Sequence, residues 1–172
     1  WQLEFPAGWG APAHVTFDRL ISWPDHPDSG VKYFSGTATY RRKFQIANNI
    51  LAKDSRLYLD LGRVAVIAEL KVNGQDLGIL WKPPFRADIT NVARAGANDL
   101  EIKVVNLWPN RLIGDEQLPE DCEWLPPKPP RNLVPRTWGD VLERWPQWLL
   151  DGKPSPTGRH TFTTWKHWKK DD

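Results

Sequence analysis

The tetrapeptide Val72-Asn73-Gly74-Gln75 constrains this chain more tightly than any other stretch. Asn-Gly between two apolar runs is the favoured two-residue hairpin turn, because both residues tolerate a positive φ. Such a turn sets a register: Val72 faces Gln75, Leu70 faces Leu77, Ala68 faces Ile79 and Val66 faces Trp81, all on one side of the hairpin. The other side sets Lys71 beside Asp76 and Ile67 beside Leu80. Side chains alternate along a strand, so a slip of one residue would scramble the apolar side.

The flanking segments carry the same period of two. Between Thr37 and Ile46, the residues Ala38, Tyr40, Phe44 and Ile46 share one face, while Thr39, Arg41, Lys43 and Gln45 share the other. Leu57, Leu59 and Leu61 repeat the pattern, as do Leu100, Ile102 and Val104. This is how half-buried strands read. Arg42 falls on the apolar face, where a buried guanidinium needs a partner. Asp60 and Asp88 are candidates; the alternative is an arginine that reaches solvent from the strand end. Pro83-Pro84 ends the hairpin because neither residue can donate a ladder hydrogen bond. A short strand at Phe85 to Ile89 and a turn at Ala95-Gly96-Ala97-Asn98 follow. Strands spaced this closely, with no helical stretches between them, predict a β-sandwich.

After Val105 the character changes. Residues 106 to 135 are rich in Pro, Asp and Glu, and Pro126-Pro127-Lys128-Pro129-Pro130 predicts extended polyproline II. Val141, Leu142, Trp145, Trp148 and Leu149 recur at helical spacing, with Asp140 as an N-cap and Gly152 as a stop. Pro146 must kink or split that helix. Thr161 to Trp168 reads as a final strand. The expectation is one domain over residues 1–172, all-β with one short helix, in which 106–160 is a long Pro- and Trp-rich insertion before the last strand. A connection of that length inside a compact domain usually has a function.

Composition narrows the function classes. With 23 Lys plus Arg against 21 Asp plus Glu, the net charge is +2, and the basic residues are scattered, which gives no nucleic-acid signal. No apolar run approaches a membrane span. A single cysteine, Cys122, excludes an internal disulfide. The 172 residues contain no methionine and begin at Trp1, which reads as a piece of a larger parent. The 11 tryptophans are crowded toward the end, six of them from Trp124 onward. An indole offers a large rigid apolar face and one polar N–H, which suits a pyranose with its apolar C–H faces and polar rim. The alternative for each ring is a place in the core.

Several motifs in order carry a resemblance. They are Tyr33-Phe34-Ser35-Gly36-Thr37-Ala38-Thr39-Tyr40-Arg41-Arg42-Lys43-Phe44, Leu70-Lys71-Val72-Asn73-Gly74-Gln75-Asp76-Leu77-Gly78, Phe85-Arg86-Ala87-Asp88-Ile89-Thr90 and Gly96-Ala97-Asn98-Asp99-Leu100. Together they resemble the jelly-roll sugar-binding domain of family 2 glycoside hydrolases. Leu80-Trp81-Lys82-Pro83-Pro84 and the run Asn106-Leu107-Trp108-Pro109-Asn110-Arg111-Leu112-Ile113-Gly114-Asp115 are most similar to the C-terminal β-domains of family 106 α-L-rhamnosidases. The likeness covers roughly residues 20 to 115, plus Thr161 to His167. It implies a galactose-binding-like jelly-roll β-sandwich, a bacterial parent exported from the cytoplasm to degrade plant glycans, and a functional segment from Asn106 to Asp115. Relatives continue past the Trp165 motif into another apolar strand, whereas this chain stops at Lys169-Lys170-Asp171-Asp172, so either an incomplete sheet or an open sheet edge is expected.

Within that frame the candidate carbohydrate-binding residues are Trp108, Asn110, Arg111, Trp81 and Trp138. Trp108 sits in a Pro-flanked loop that would display its ring. Trp81 falls on the core face of the predicted hairpin, so burial is its competing reading. Asn110 and Arg111 can hydrogen-bond sugar hydroxyls, the arginine through a rigid fork of donors. Their alternatives are an Asn holding a turn and an Arg paired with Asp115. Asp115, Glu116, Glu120, Asp121 and Glu123 form the acidic cluster. A hydrolytic pair needs two carboxylates about 5 to 9.5 Å apart across a bond, which spacing alone does not show. A solvated loop is expected, with a weak structural calcium site as the second reading. His14, His26, His160 and His167 lack metal-ligand spacing, and no catalytic residue or cofactor is assigned. The expected function is a non-catalytic carbohydrate-binding accessory domain. Its partners would be an oligo- or polysaccharide and the catalytic domain of a parent glycoside hydrolase, with no nucleic acid and no membrane. The alternatives are a purely structural domain packed on a catalytic barrel, and a free-standing glycosidase.

Overall fold

The structure is a computed structural model that describes residues 1–51, 55–119, 121–125 and 142–161. The chain divides into two compact units, Trp1–Leu107 and Trp108–Asp172, and the boundary lies where the composition changes. The expected final strand lies outside the described residues apart from Thr161, and the polyproline run lies outside them altogether.

Among the described residues, the first unit contains eight strands. These are β1 (Gln2–Glu4), β2 (His14–Thr16), β3 (Gly36–Ile46), β4 (Tyr58–Asp60), β5 (Ile67–Val72), β6 (Gln75–Leu80), β7 (Arg86–Asp88) and β8 (Gly96–Asn106). A one-turn helix, α1 (Ser29–Lys32), precedes β3 and is capped by Asp28, whose Oδ1 accepts from the Val31 N–H at 3.0 Å. Six strands form one antiparallel sheet in the order β2-β1-β3-β8-β5-β6, and β4 pairs with β7 in a second, smaller layer. The period of two dictates the packing. Ala38 and Tyr40 of β3, Ala68, Leu70 and Val72 of β5, and Leu100 and Ile102 of β8 all point inward and are buried. They meet Ala87 and Ile89 with Leu57, Leu59 and Leu61 from the smaller layer. The result is the all-β sandwich that the alternation predicts.

An aromatic group closes one part of this core. Phe5, Trp23 and Phe34 pack edge to face with centroids 4.9 to 5.7 Å apart. Trp23 Nε1 donates to the Tyr40 hydroxyl at 2.6 Å, which satisfies two buried polar groups with one bond. Burial pushes the Tyr40 phenol up to about 12 against the smaller opposing effect of that bond.

The Asn-Gly hairpin forms, with Asn73 at φ 51° and Gly74 at φ 81°. Val72 pairs with Gln75 and Lys71 with Asp76, as expected. Beyond Leu70 the register departs from the sequence reading, because Ala68 pairs with Leu80 rather than Ile79 and Glu69 pairs with Ile79. The extra residue lies in β6 around Gly78, which takes φ +87° and whose N–H donates to Asp76 Oδ1 at 2.7 Å. This β-bulge turns the end of the strand over. Its consequence is that Trp81, expected on the core face, is 65% exposed.

Arg42 takes the solvent alternative. It is exposed, and its guanidinium lies 5.2 Å from the Trp1 ring centroid. Asp60 and Asp88 instead accept from the backbone N–H groups of Gly62 and Thr90.

The second unit contains α2 (Pro109–Asp115), a two-stranded antiparallel ribbon of β9 (Glu123–Trp124) and β10 (Leu142–Arg144), and the one-turn helix α3 (Gln147–Leu150). Two expectations are corrected here. The stretch from Trp108 to Asp115 is a short helix rather than a loop, because Pro109 occupies its first turn, where the missing N–H costs nothing. The helix expected across 141–149 is replaced, over its described residues 142–149, by β10 and α3. Pro146 stands at the N-cap of α3 with ψ 131°, so no helix passes through it, and Gly152 at φ 62° ends the turn.

Candidate functional site

Among the described residues, the buried charges Arg111, Asp115 and Arg159 gather around α2 in the second unit. Arg111 and Asp115 are one helical turn apart, so they share a face, and both are buried. Arg111 Nη1 lies 3.8 Å from Asp115 Oδ1. The other oxygen, Oδ2, accepts three bonds: from the His160 N–H at 2.9 Å, the Thr161 N–H at 2.7 Å and the Thr161 hydroxyl at 2.8 Å. Glu116, the next residue, takes Arg159 Nη2 at 3.1 Å, and Arg159 Nη1 reaches the Pro119 carbonyl at 3.4 Å. Two consecutive carboxylates thus hold three consecutive residues of the 159–161 segment. Burial lowers the Arg111 guanidinium pKa and is opposed by Asp115. Burial also lowers the His160 imidazole pKa, helped by the nearby Arg111 charge.

The rest of the acidic cluster is occupied too. Asp121 Oδ2 accepts from the Ser155 hydroxyl and from the Thr157 hydroxyl at 3.1 Å, and Glu123 pairs with Arg144. Glu120 lies outside the described residues. The expectation of a solvated acidic loop is therefore corrected for Asp115 and Glu116, which are desolvated and paired. A buried carboxylate needs such partners to remain charged. Among the described residues, no group of three His, Cys, Asp or Glu is placed to hold a metal ion.

Of the expected sugar-contacting residues, Trp108 stands at the N-cap of α2 and is 54% exposed. Asn110 is half-buried in the first turn, and the Arg111 fork is buried against Asp115. Trp81 is on the first unit, at the end of β6. Trp138 lies outside the described residues. Sequence reasoning missed Arg159 and Thr161. They sit 43 and 46 residues from their acceptors, and no local period links such distant positions. The bulge, by contrast, had a local signal in Asp76-Leu77-Gly78, since an Asp followed two residues later by Gly favours an Asx-type turn.

No family model matches the chain. It is 48% identical over all 172 residues to a protein of Formosa agariphila named "putative beta-glucuronidase", and spans 14% of that relative's length. Among solved structures, it is similar to a rhamnosidase from Novosphingobium sp. PP1Y, with 49% identity, a TM-score of 0.64, and coverage of 68% of this chain and 11% of the other. A β-glucuronidase of an uncultured Clostridium sp. shares 26% identity at a TM-score of 0.53, covering 62% of this chain and 21% of its own. A Ruminococcus gnavus β-glucuronidase, at 23% identity and a TM-score of 0.51, shows the fold alone.

Proposed function

We propose that this chain is a non-catalytic accessory module carried within a longer glycoside hydrolase, and that it contributes a saccharide contact at Trp108. One observation carries the reading: all 172 residues align at 48% identity with a segment that is only 14% of a much longer relative named for glycosidase activity. The chemistry of the second unit supports it. Asp115, Glu116, Asp121 and Glu123 are each engaged by a cation or by hydroxyl and amide donors, which accounts for them as structural groups. A glycosidic bond is cut by two carboxylates that face the substrate from opposite sides. What α2 offers solvent is the indole of Trp108, held at the end of a short helix whose other end is anchored through Asp115. A rigid aromatic face suits the apolar C–H face of a pyranose.

The test is a binding screen of the chain against oligosaccharides containing rhamnose or uronic acid. Binding is expected to weaken about tenfold, or roughly 1.4 kcal/mol, in Trp108→Ala with the unfolding midpoint unchanged. An empty screen, equal binding by the variant, or turnover of an aryl rhamnoside or aryl glucuronide by this chain alone would overturn the proposal.

A further inference from the structure

The outward face of the six-stranded sheet is ruled into rows by the strand register. One row runs Asp76, Lys71, Glu101, Arg41, and the next runs Ile79, Glu69, Lys103, Thr39. Both carry cross-strand ion pairs: Arg41 Nε to Glu101 Oε2 at 2.9 Å and Lys103 Nζ to Glu69 Oε2 at 3.6 Å. Continuing the β5–β6 register by one residue sets Trp81 beside Ile67, and that row goes on through Val105 to Thr37. It has no charge. Trp81 is 65% exposed and Ile79, at the corner of the neighbouring row, is 58% exposed. The outward face of an antiparallel sheet is normally polar when water covers it. An uncharged end row with an exposed aromatic anchor, beside a row that carries charge, is instead the composition of a protein interface with its polar rim.

Four occupants compete: a pyranose, a second copy, an added strand and a tethered domain. A pyranose site needs polar groups that converge beside the ring. Here Glu69 and Lys103 are committed to each other, and the Lys82 ammonium already lies 5.1 Å from the Trp81 centroid. A freely associating second copy needs about 800 Å² on each partner, or roughly 20–30 residues a side, against the four residues of this uncharged patch. Strand addition to the edge of β6 is opposed by the Gly78 bulge and by Pro83-Pro84. A domain joined to this one by the chain itself needs less, because tethering supplies an effective concentration in the millimolar range. The similar proteins carry this fold as 11 to 21% of longer chains, so such a neighbour is at hand in each of them.

We infer that Ile67, Ile79, Trp81 and Val105 form the docking face for a neighbouring domain of the same polypeptide. That domain's contacting surface is apolar at its centre, with polar groups at the rim toward Glu69, Lys103 and Lys82. The inference rests on the accessory-module reading and adds the face by which the module is seated.

Hydroxyl-radical footprinting with mass spectrometry tests it. Trp81 oxidation is compared between this 172-residue chain alone and a chimera in which the chain replaces its counterpart in the Formosa agariphila relative. Oxidation of Trp81 is expected to fall about tenfold in the chimera, as water is excluded from the contact. Equal oxidation in both overturns the inference. So does protection of Trp81 in the isolated chain that grows with protein concentration, the mark of a second copy, or on addition of oligosaccharide, the mark of a sugar site. If the chimera does not fold, the unaltered relative gives the answer: its peptide aligned with Ile79–Lys82 must label poorly in the native protein and fully in urea. Labelling that is high in both states overturns the inference. The binding screen reads Trp108 and is independent of this measurement, so either reading can fail alone.

Discussion

Asn73 Nδ2 donates to Asn98 Oδ1 at 2.8 Å, tying the tip of the β5–β6 hairpin to the start of β8 across 25 residues. The bond is one of a closed set. Asn73 also donates to the Val92 carbonyl and accepts from the Asp99 N–H, while Asn98 donates to the carbonyls of Arg94 and Gly96 and accepts from the Arg94 N–H. Asn98 is wholly buried, so every one of its side-chain bonds replaces a bond to water.

Asn98→Ala removes that hub and leaves two carbonyls, one N–H and one side-chain amide without their partner. A buried group left without its partner costs about 1–3 kcal/mol, and water reaching the exposed Arg94 side of the network recovers part of it. A loss of roughly 2–4 kcal/mol in urea-unfolding free energy is expected. A loss below about 1 kcal/mol would mean that the network is dispensable.

Gly78→Ala isolates the backbone cost of the bulge. A Cβ at Gly78 meets no atom within 4 Å, so the penalty comes from φ +87° alone. A side chain in the left-handed region costs roughly 1–2 kcal/mol, and the same loss is expected in denaturant unfolding. An unchanged midpoint would show that the strand can be re-registered without penalty.

Asp115→Asn tests the anchor of α2. The amide keeps the shape but loses the charge that faces Arg111 and one acceptor oxygen. Breaking a buried pair from one side costs about 3–5 kcal/mol when an uncompensated charge remains. Amide exchange at His160 and Thr161 should accelerate by at least about a hundredfold, equivalent to roughly 2.7 kcal/mol. Protection equal to that of the parent chain would count against Asp115 as the anchor.

Alkaline stability should report Tyr40. Its phenol is held at about 12 in the folded chain against an ordinary value of 10.0. A group whose folded pKa lies above its unfolded value contributes stability that is complete below the unfolded value and is lost as pH rises through the folded one. The window is therefore pH 10 to 12, with a loss of about 2–3 kcal/mol across it. Urea unfolding at half-unit pH steps checks this. Tyr40→Phe should start lower, because Trp23 Nε1 loses its acceptor, and should lack the contribution of this phenol to the alkaline fall.

The strands were legible because a period of two is a local property, written in neighbouring residues. Ala38 with Tyr40, Leu57 with Leu59, and Leu100 with Ile102 turn inward as their alternation requires. Pro146 announced a break and made one. The site was less legible. Trp108 is displayed as its setting suggested, but its segment is a helix, and Arg111 is turned to Asp115. Whether an arginine beside a sequence-local acid faces a ligand or that acid depends on what desolvates the pair. Here the acid also holds residues 160 and 161, far along the chain.

By itself, then, the sequence determined the β layers, the turn at Asn73-Gly74 and the inward-facing residues, because each follows from the steric preferences of adjacent positions. Only the tertiary structure decided the fate of Trp81 and Asp115. A single bulge residue reverses every side chain beyond it, so local alternation misplaced the indole. A buried charge is tolerated only where distant donors converge, and convergence is a property of the folded chain, not of any window along it.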